Sequence, residues 1–159
     1  MTGPYDVLVV EDDHDLREAL VSAMEGEGLR VRAPVNARAV LEAAQAGPPA
    51  VALVDLVLGS AFGEAGDIVR ELRARAGVPV VLISGARELG RQASRLGAVA
   101  TVAKPFAVRD LLAAVLPYCG VAARKAARRA PSARPWVPRL GDHGQSARAE
   151  NAPEEADLD

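Results

Sequence analysis

Apolar runs of five or six residues alternate along the chain with segments whose apolar positions recur every three or four. The first run, Tyr5–Val10, has Val7, Leu8, Val9 and Val10 unbroken and reads as a strand covered on both faces. Glu11-Asp12-Asp13 ends it. Asp13 is placed to cap a helix from His14 to about Glu27, with Leu16, Leu20, Ala23 and Met24 turned inward and Gly26 and Gly28 marking its stop. Leu29–Ala33 is a weaker strand, and outward Arg30 and Arg32 suit it to a sheet edge. Asn36 caps a second helix, Ala37–Gln45, with Val40, Leu41 and Ala44 inward, and Gly47-Pro48-Pro49 breaks it.

The pattern then repeats. Ala50–Val54 is a buried strand that delivers Asp55, followed by a loop holding Gly59, Gly63 and Gly66. A third helix, about Glu64–Arg75, turns Ile68, Val69 and Leu72 inward and ends at Gly77. Val78–Ile83 is a fourth strand ending at Ser84, and a fourth helix, about Glu88–Leu96, buries Leu89, Ala93 and Leu96 before Gly97. Ala98–Ala103 is a fifth, smaller strand ending at Lys104. Val108–Leu116 closes the series as a helix with Val108, Leu111, Leu112, Val115 and Leu116 on one face. Five strand–helix units with continuous apolar strands predict an α/β fold. The expected form is a flavodoxin-like (βα)5 doubly wound parallel sheet of strand order 2-1-3-4-5 with right-handed crossovers.

Composition changes this picture only beyond residue 119. Residues 120–159 contain, alanine aside, only Val121, Trp136, Val137, Leu140 and Leu158 as medium or large apolar residues, and four prolines interrupt them. Such a segment buries too little surface to fold alone. The expected organisation is therefore one domain over 1–119 and a disordered tail over 120–159 that is first rich in Arg, Pro and Ala, then acidic. The domain carries 12 Lys+Arg against 15 Asp+Glu, and the tail 7 against 6, so no basic face suggests nucleic acid as the default partner. One cysteine, Cys119, rules out an internal disulfide and a cysteine-built zinc site. Neither His14 nor His143 has a partner at metal-ligand spacing. No apolar run reaches the roughly 18 residues that span a bilayer, and Met1–Val10 lacks the features of a signal peptide, so a cytoplasmic location is expected.

Candidate chemistry gathers at one rim. Ligands of doubly wound sheets bind beyond the carboxyl ends of the strands. There strand one supplies Glu11 and Asp12, strand three Asp55, strand four Ser84 and strand five Lys104. Two unit charges about 4 Å apart repel by roughly 4 kcal/mol at an effective dielectric of about 20, so three carboxylates must raise their pKa values or recruit a cation. Oxygen ligands without His or Cys suit Mg²⁺ or Mn²⁺, and Mg²⁺ accepts a phosphoryl oxygen. With Lys104 opposite and the Ser84 hydroxyl beside, the set suits transfer of a phosphoryl group to Asp55 as nucleophile.

In these residues the chain resembles the receiver domain of bacterial two-component response regulators. The likeness covers about residues 5–118. It rests on the run from Val7 through Asp13, on Leu53-Val54-Asp55-Leu56, on Leu82-Ile83-Ser84-Gly85-Ala86 and on Lys104-Pro105-Phe106. The resemblance implies a single-domain signalling switch rather than an enzyme. Asp55 would be the phosphoacceptor and a metal ligand, Asp12 a direct Mg²⁺ ligand, and Glu11 one acting mainly through water. The backbone carbonyl of Val57 would complete the protein's share of the coordination. Ser84 and Lys104 would bind the phosphoryl group once it arrives, and the Lys104–Pro105 bond is often cis in the family. It further implies a histidine kinase or histidine phosphotransfer protein as donor and a downstream protein as target. The face formed by helix four, strand five and helix five would be the binding or homodimer surface.

Other readings are weaker. Ser84-Gly85 lacks the glycine that a nucleophile elbow needs two residues before the serine, where Leu82 stands. The loop glycines are not followed by Gly-Lys-Ser/Thr, so they form no P-loop. Asp55-Leu56-Val57 lacks the second aspartate of dehalogenase-type phosphatases. Two rivals stay open: a degenerate receiver that binds partners without phosphorylation, and a regulator that contacts nucleic acid through the Arg124–Arg139 run.

Three departures from the family pattern carry expectations. Leu58-Gly59 replaces a proline-bearing loop and Gly66 comes about three residues late, which leaves the approach of the third helix open. Thr101 stands where an aromatic residue usually switches rotamer, so output would pass through backbone shifts. Val57 and Ala86 stand where side chains often orient the hydrolytic water, and neither can hydrogen-bond it. The phosphorylated chain should therefore lose its phosphoryl group slowly. A decay followed by intact mass on purified protein should run well beyond seconds, and a half-life of seconds would contradict the reading.

Overall fold

The computed structural model describes residues 5–85 and 89–120. Ala86 and the tail from residue 121 lie outside the described residues. Five strands form one parallel sheet: β1 (Val7–Val10), β2 (Val31–Arg32), β3 (Val51–Asp55), β4 (Val80–Ser84) and β5 (Ala100–Ala103). Their order is β2-β1-β3-β4-β5, as the alternation predicts, with β2 and β5 at the edges. Five α-helices connect and close them: α1 (His14–Gly26), α2 (Ala37–Ala46), α3 (Ala65–Ala76), α4 (Leu89–Leu96) and α5 (Val108–Val115). A 3-10 turn at Leu116–Tyr118 replaces the last helical residue expected, because Pro117 cannot continue an α-helix.

The strands alternate side chains between two cores. Leu8, Val10, Ala52, Val54, Val80 and Leu82 pack on one face against Val40 and Ala44 of α2, Ile68, Val69 and Leu72 of α3, and Leu89 and Leu96 of α4. Val7, Val9, Val51, Leu53, Val81, Ile83 and Val102 pack on the other against Leu16, Leu20 and Met24 of α1 and Leu111, Leu112 and Val115 of α5. All four residues of β1 and all five of β3 and β4 are buried, which is why those strands read as continuous apolar runs. Cys119 is buried in the second core.

The caps follow the sequence closely. The Asp13 carboxylate accepts from the Leu16 N–H at 2.9 Å, and Asn36 accepts from the Ala39 N–H at 2.9 Å. Gly77 closes α3 at φ 60°, in the left-handed region that glycine enters freely. The strands are shorter than the apolar runs because the run ends lie outside the ladder. Tyr5 is buried yet precedes β1, and β2 keeps only two paired residues. The β2 edge is instead fastened by Asp6, whose carboxylate accepts from the Arg30 backbone N–H at 2.8 Å and from its guanidinium at 3.0 Å.

Leu53 is fully buried in the central strand, whereas Val35 is 59% exposed. Leu53→Ala should lower unfolding stability by about 2–5 kcal/mol. Val35→Ala should change it by no more than about 0.5 kcal/mol. Urea denaturation followed by circular dichroism compares the two.

Candidate functional site

Strand register assembles the site. Val10 pairs with Val54, so Glu11 and Asp55, one residue on in each chain, stand side by side on neighbouring strands. Asp55 pairs with Ile83, and Ser84 with Ala103, just before Lys104. Alternation continued past the strand ends turns Glu11, Asp55 and Lys104 toward the α1/α5 side, the side of Val9, Leu53 and Val102. Lys104 starts two strands away from Asp55, roughly 10 Å at ordinary strand spacing. Its flexible four-carbon stem spans that gap where a shorter side chain would not.

Glu11, Asp12 and Asp55 bring one carboxylate oxygen each within 4.8 Å of one another. Glu11 and Asp55 are buried, and Asp12 is exposed at the mouth. The Lys104 Nζ donates to Asp55 Oδ2 at 2.5 Å and to Glu11 Oε2 at 3.3 Å. The other Asp55 oxygen, Oδ1, accepts from the Val57 N–H at 3.0 Å, and Glu11 Oε1 accepts from the Asp13 N–H at 3.1 Å. Ser84 is buried at the end of β4, and its backbone carbonyl accepts from the Lys104 N–H at 3.0 Å. The Lys104–Pro105 peptide bond is cis. Glu11, Asp12, Asp55, Ser84 and Lys104 thus lie at this rim, while the Val57 side chain points to solvent, 69% exposed.

Electrostatics follow from this packing. Burial, and then the charge of Asp55 beside it, push the Glu11 carboxyl up to about 7, against the pull of Lys104 and the Asp13 N–H. Burial also works to lower the Lys104 ammonium. The hydrogen bond and charge of Asp55, with those of Glu11, outweigh it and hold the group above the usual lysine value. Among the described residues the rim is therefore an acidic pocket whose two buried carboxylates share the Lys104 ammonium. That donor set suits a small hard divalent ion and an incoming anion together.

Two residues at the site had not been singled out for a role there. Arg17, on α1, donates from one guanidinium nitrogen to the backbone carbonyls of Glu11 at 3.0 Å and Asp12 at 3.3 Å. Gly59 lies against the acidic loop, where a Cβ would come within 2.9 Å of Asp12 Oδ2. Arg17, five residues after Asp12, carried no specific sequence signal, because its contacts are to backbone carbonyls. Gly59 carried none beyond being glycine. The displaced Gly66 is absorbed as the second residue of α3, where a Cβ would meet Leu96 at 3.4 Å. The helix start moves by a single residue, from Glu64 to Ala65. Thr101 is exposed on β5, while its neighbour Val102 is buried.

Comparison with known proteins gives a consistent picture. The family profile described as the response regulator receiver domain matches residues 7–116. The KDP operon transcriptional regulatory protein KdpE of Escherichia coli is 37% identical over 111 residues, covering 68% of this chain and 48% of that protein. The regulatory protein VirG of Agrobacterium fabrum is 35% identical over 112 residues, covering 69% and 44%. Among solved structures, the chemotaxis protein CheY4 of Vibrio cholerae superposes with a TM-score of 0.64 at 20% identity, covering 72% of this chain and 98% of that one. The chain spans about half the length of the curated relatives it matches.

The raised Glu11 fixes a pH dependence for the metal-free chain. Between its ordinary 4.5 and about 7 the folded state holds a proton that the unfolded state has released, so folding stability falls as pH rises through that window. Thermal unfolding in a chelator should show this decline, and Glu11→Gln should flatten it. An undiminished slope in the variant would place its source elsewhere.

Proposed function

The chain belongs to the response regulator receiver family, and from that premise we propose that it accepts a phosphoryl group on Asp55 from a phosphohistidine. The donor is a histidine kinase or a histidine phosphotransfer protein. The observation that carries this reading is Asp55 itself, a buried carboxylate flanked by two acids and bonded to an amine at 2.5 Å.

An Asp55 carboxylate oxygen attacks the phosphorus and the phosphorus–nitrogen bond of the donor breaks. Its electron pair leaves with the imidazole, and Asp55 becomes an acyl phosphate. Lys104 exchanges its bond to the free carboxylate for one to a phosphoryl oxygen. The Ser84 hydroxyl donates to another. The Val57 N–H keeps Asp55 oriented during the exchange. Mg²⁺ suits the converging carboxylate oxygens of Glu11, Asp12 and Asp55; Asp12 and Asp55 would hold it directly, Glu11 mainly through water, and the Val57 backbone carbonyl would complete the protein's share. When bound it supplies charge neutralisation between the attacking carboxylate and the phosphoryl oxygens.

Residues 1–119 are the receiver domain in this reading. Their output is protein–protein contact rather than catalysis, through the face of α4, β5 and α5, which also serves a homodimer. Phosphorylation shifts the population between two states of that face. With Thr101 on β5, the shift runs through the backbone. Residues 120–159 hold too few apolar side chains for a helix-turn-helix core. No described helix is long and apolar enough to cross a membrane, in keeping with a cytoplasmic site of action.

Incubation with acetyl phosphate and Mg²⁺ should add one phosphoryl group, about 80 Da by intact mass, to the wild-type chain. Asp55→Asn or a chelator should abolish it. A wild-type chain that stays unmodified under these conditions would be a degenerate receiver.

A further inference from the structure

We propose that Arg17 is a positioning residue for the cation site, acting through the backbone of the acidic loop. The inference rests on the reading above, because it concerns how Glu11 and Asp12 are held for a divalent ion. The segment Glu11–Asp13 is a turn between β1 and α1, and neither acid has a strand or helix to fix it. Three contacts, four hydrogen bonds in all, latch the turn from different sides. The Glu11 carboxylate takes the Asp13 N–H, the Asp13 carboxylate takes the Leu16 N–H, and the Arg17 guanidinium takes the carbonyls of both Glu11 and Asp12. The first two are local. The third joins the loop to the body of α1, which Leu16, Leu20 and Met24 bury in the core. Arg17 is itself half-buried, and its second terminal nitrogen lies 3.3 Å from His14 Nδ1, which confines the guanidinium further.

The two carbonyls that Arg17 holds belong to the two residues whose carboxylates converge with Asp55. Rotation of either peptide would swing a carboxylate away from the cluster. A group that touches no ligand atom but fixes the ligand-bearing backbone is an outer-shell partner, and losing one typically costs 10–100-fold in metal affinity.

The sign of the effect separates this role from simple electrostatics. Arg17 is a cation near a cation site, so by Coulomb's law its removal should tighten divalent binding. A positioning role demands the reverse.

The experiment measures Mn²⁺ binding to the full chain by electron paramagnetic resonance, with thermal unfolding in a chelator as a control. Arg17→Gln should weaken Mn²⁺ binding roughly 10- to 100-fold. Arg17→Lys keeps the charge but has a shorter reach. It should weaken binding by a smaller factor, and it stands in if the glutamine variant does not fold. Folded variants that bind Mn²⁺ as tightly as the wild type, or more tightly, overturn the proposal and leave the receiver reading intact. A wild-type chain that binds no Mn²⁺, or binds it unchanged in Asp55→Asn, overturns that reading and this inference with it.

Discussion

Glu11, Asp12 and Asp55 hold carboxylate oxygens within 4.8 Å of one another, and two of the three residues are buried. Left alone, such a group would scatter, protonate or unfold its surroundings, since each like-charge contact costs several kcal/mol out of bulk water. Lys104 is the described group that opposes this, bonded to both buried acids. It neutralises one charge of three. Burial, and then the Asp55 charge, outweigh this help and raise the Glu11 carboxyl, and the all-oxygen set suits a hard cation. The sheet tolerates the tension because β1, β3 and β4, which deliver the acids and the serine, are its three inner strands, packed on both faces.

That tension explains the division of labour around the rim. Asp55 is oriented by the Val57 N–H, Glu11 by the Asp13 N–H, and the acidic turn by Arg17. Each contact fixes a group that its neighbours repel. Gly59 contributes by having no side chain, letting the β3–α3 loop approach Asp12 more closely than a Cβ would permit. The site is built less from strong bonds than from a backbone that prevents the acids from relaxing apart.

The fold was legible because burial on both faces leaves a plain record. The runs at Val7–Val10, Val51–Val54 and Val80–Ile83 admit few alternatives, and glycines close α3 and α4 where expected. The strand-end chemistry was legible for the same reason, since the residue after a buried parallel strand must face the rim. Strand boundaries were not. Tyr5 and Leu29 are buried without belonging to a ladder, and apolar character alone cannot separate packing from pairing. Arg17 was not legible either. Its contacts are to backbone carbonyls, which look alike in every residue, so only the helix geometry puts it back over the loop.

The raised Glu11 also bears on how the site would meet its ions. A carboxyl that titrates near neutrality is partly protonated when no cation is bound, and a ligand to a divalent ion acts in its deprotonated form. If the pocket takes a cation as proposed, binding and proton release would be linked there, and acidification would oppose both. In the proposed transfer Lys104 would couple the same pocket to the incoming phosphoryl group, because the amine bonded to Glu11 is the one bonded to Asp55. One ammonium thus carries both balances. In that proposed step, moving it toward the phosphoryl oxygens would remove the counter-charge from Glu11 and raise the demand for a cation. A lysine on a flexible stem at the end of an edge strand can make that move without disturbing the inner strands.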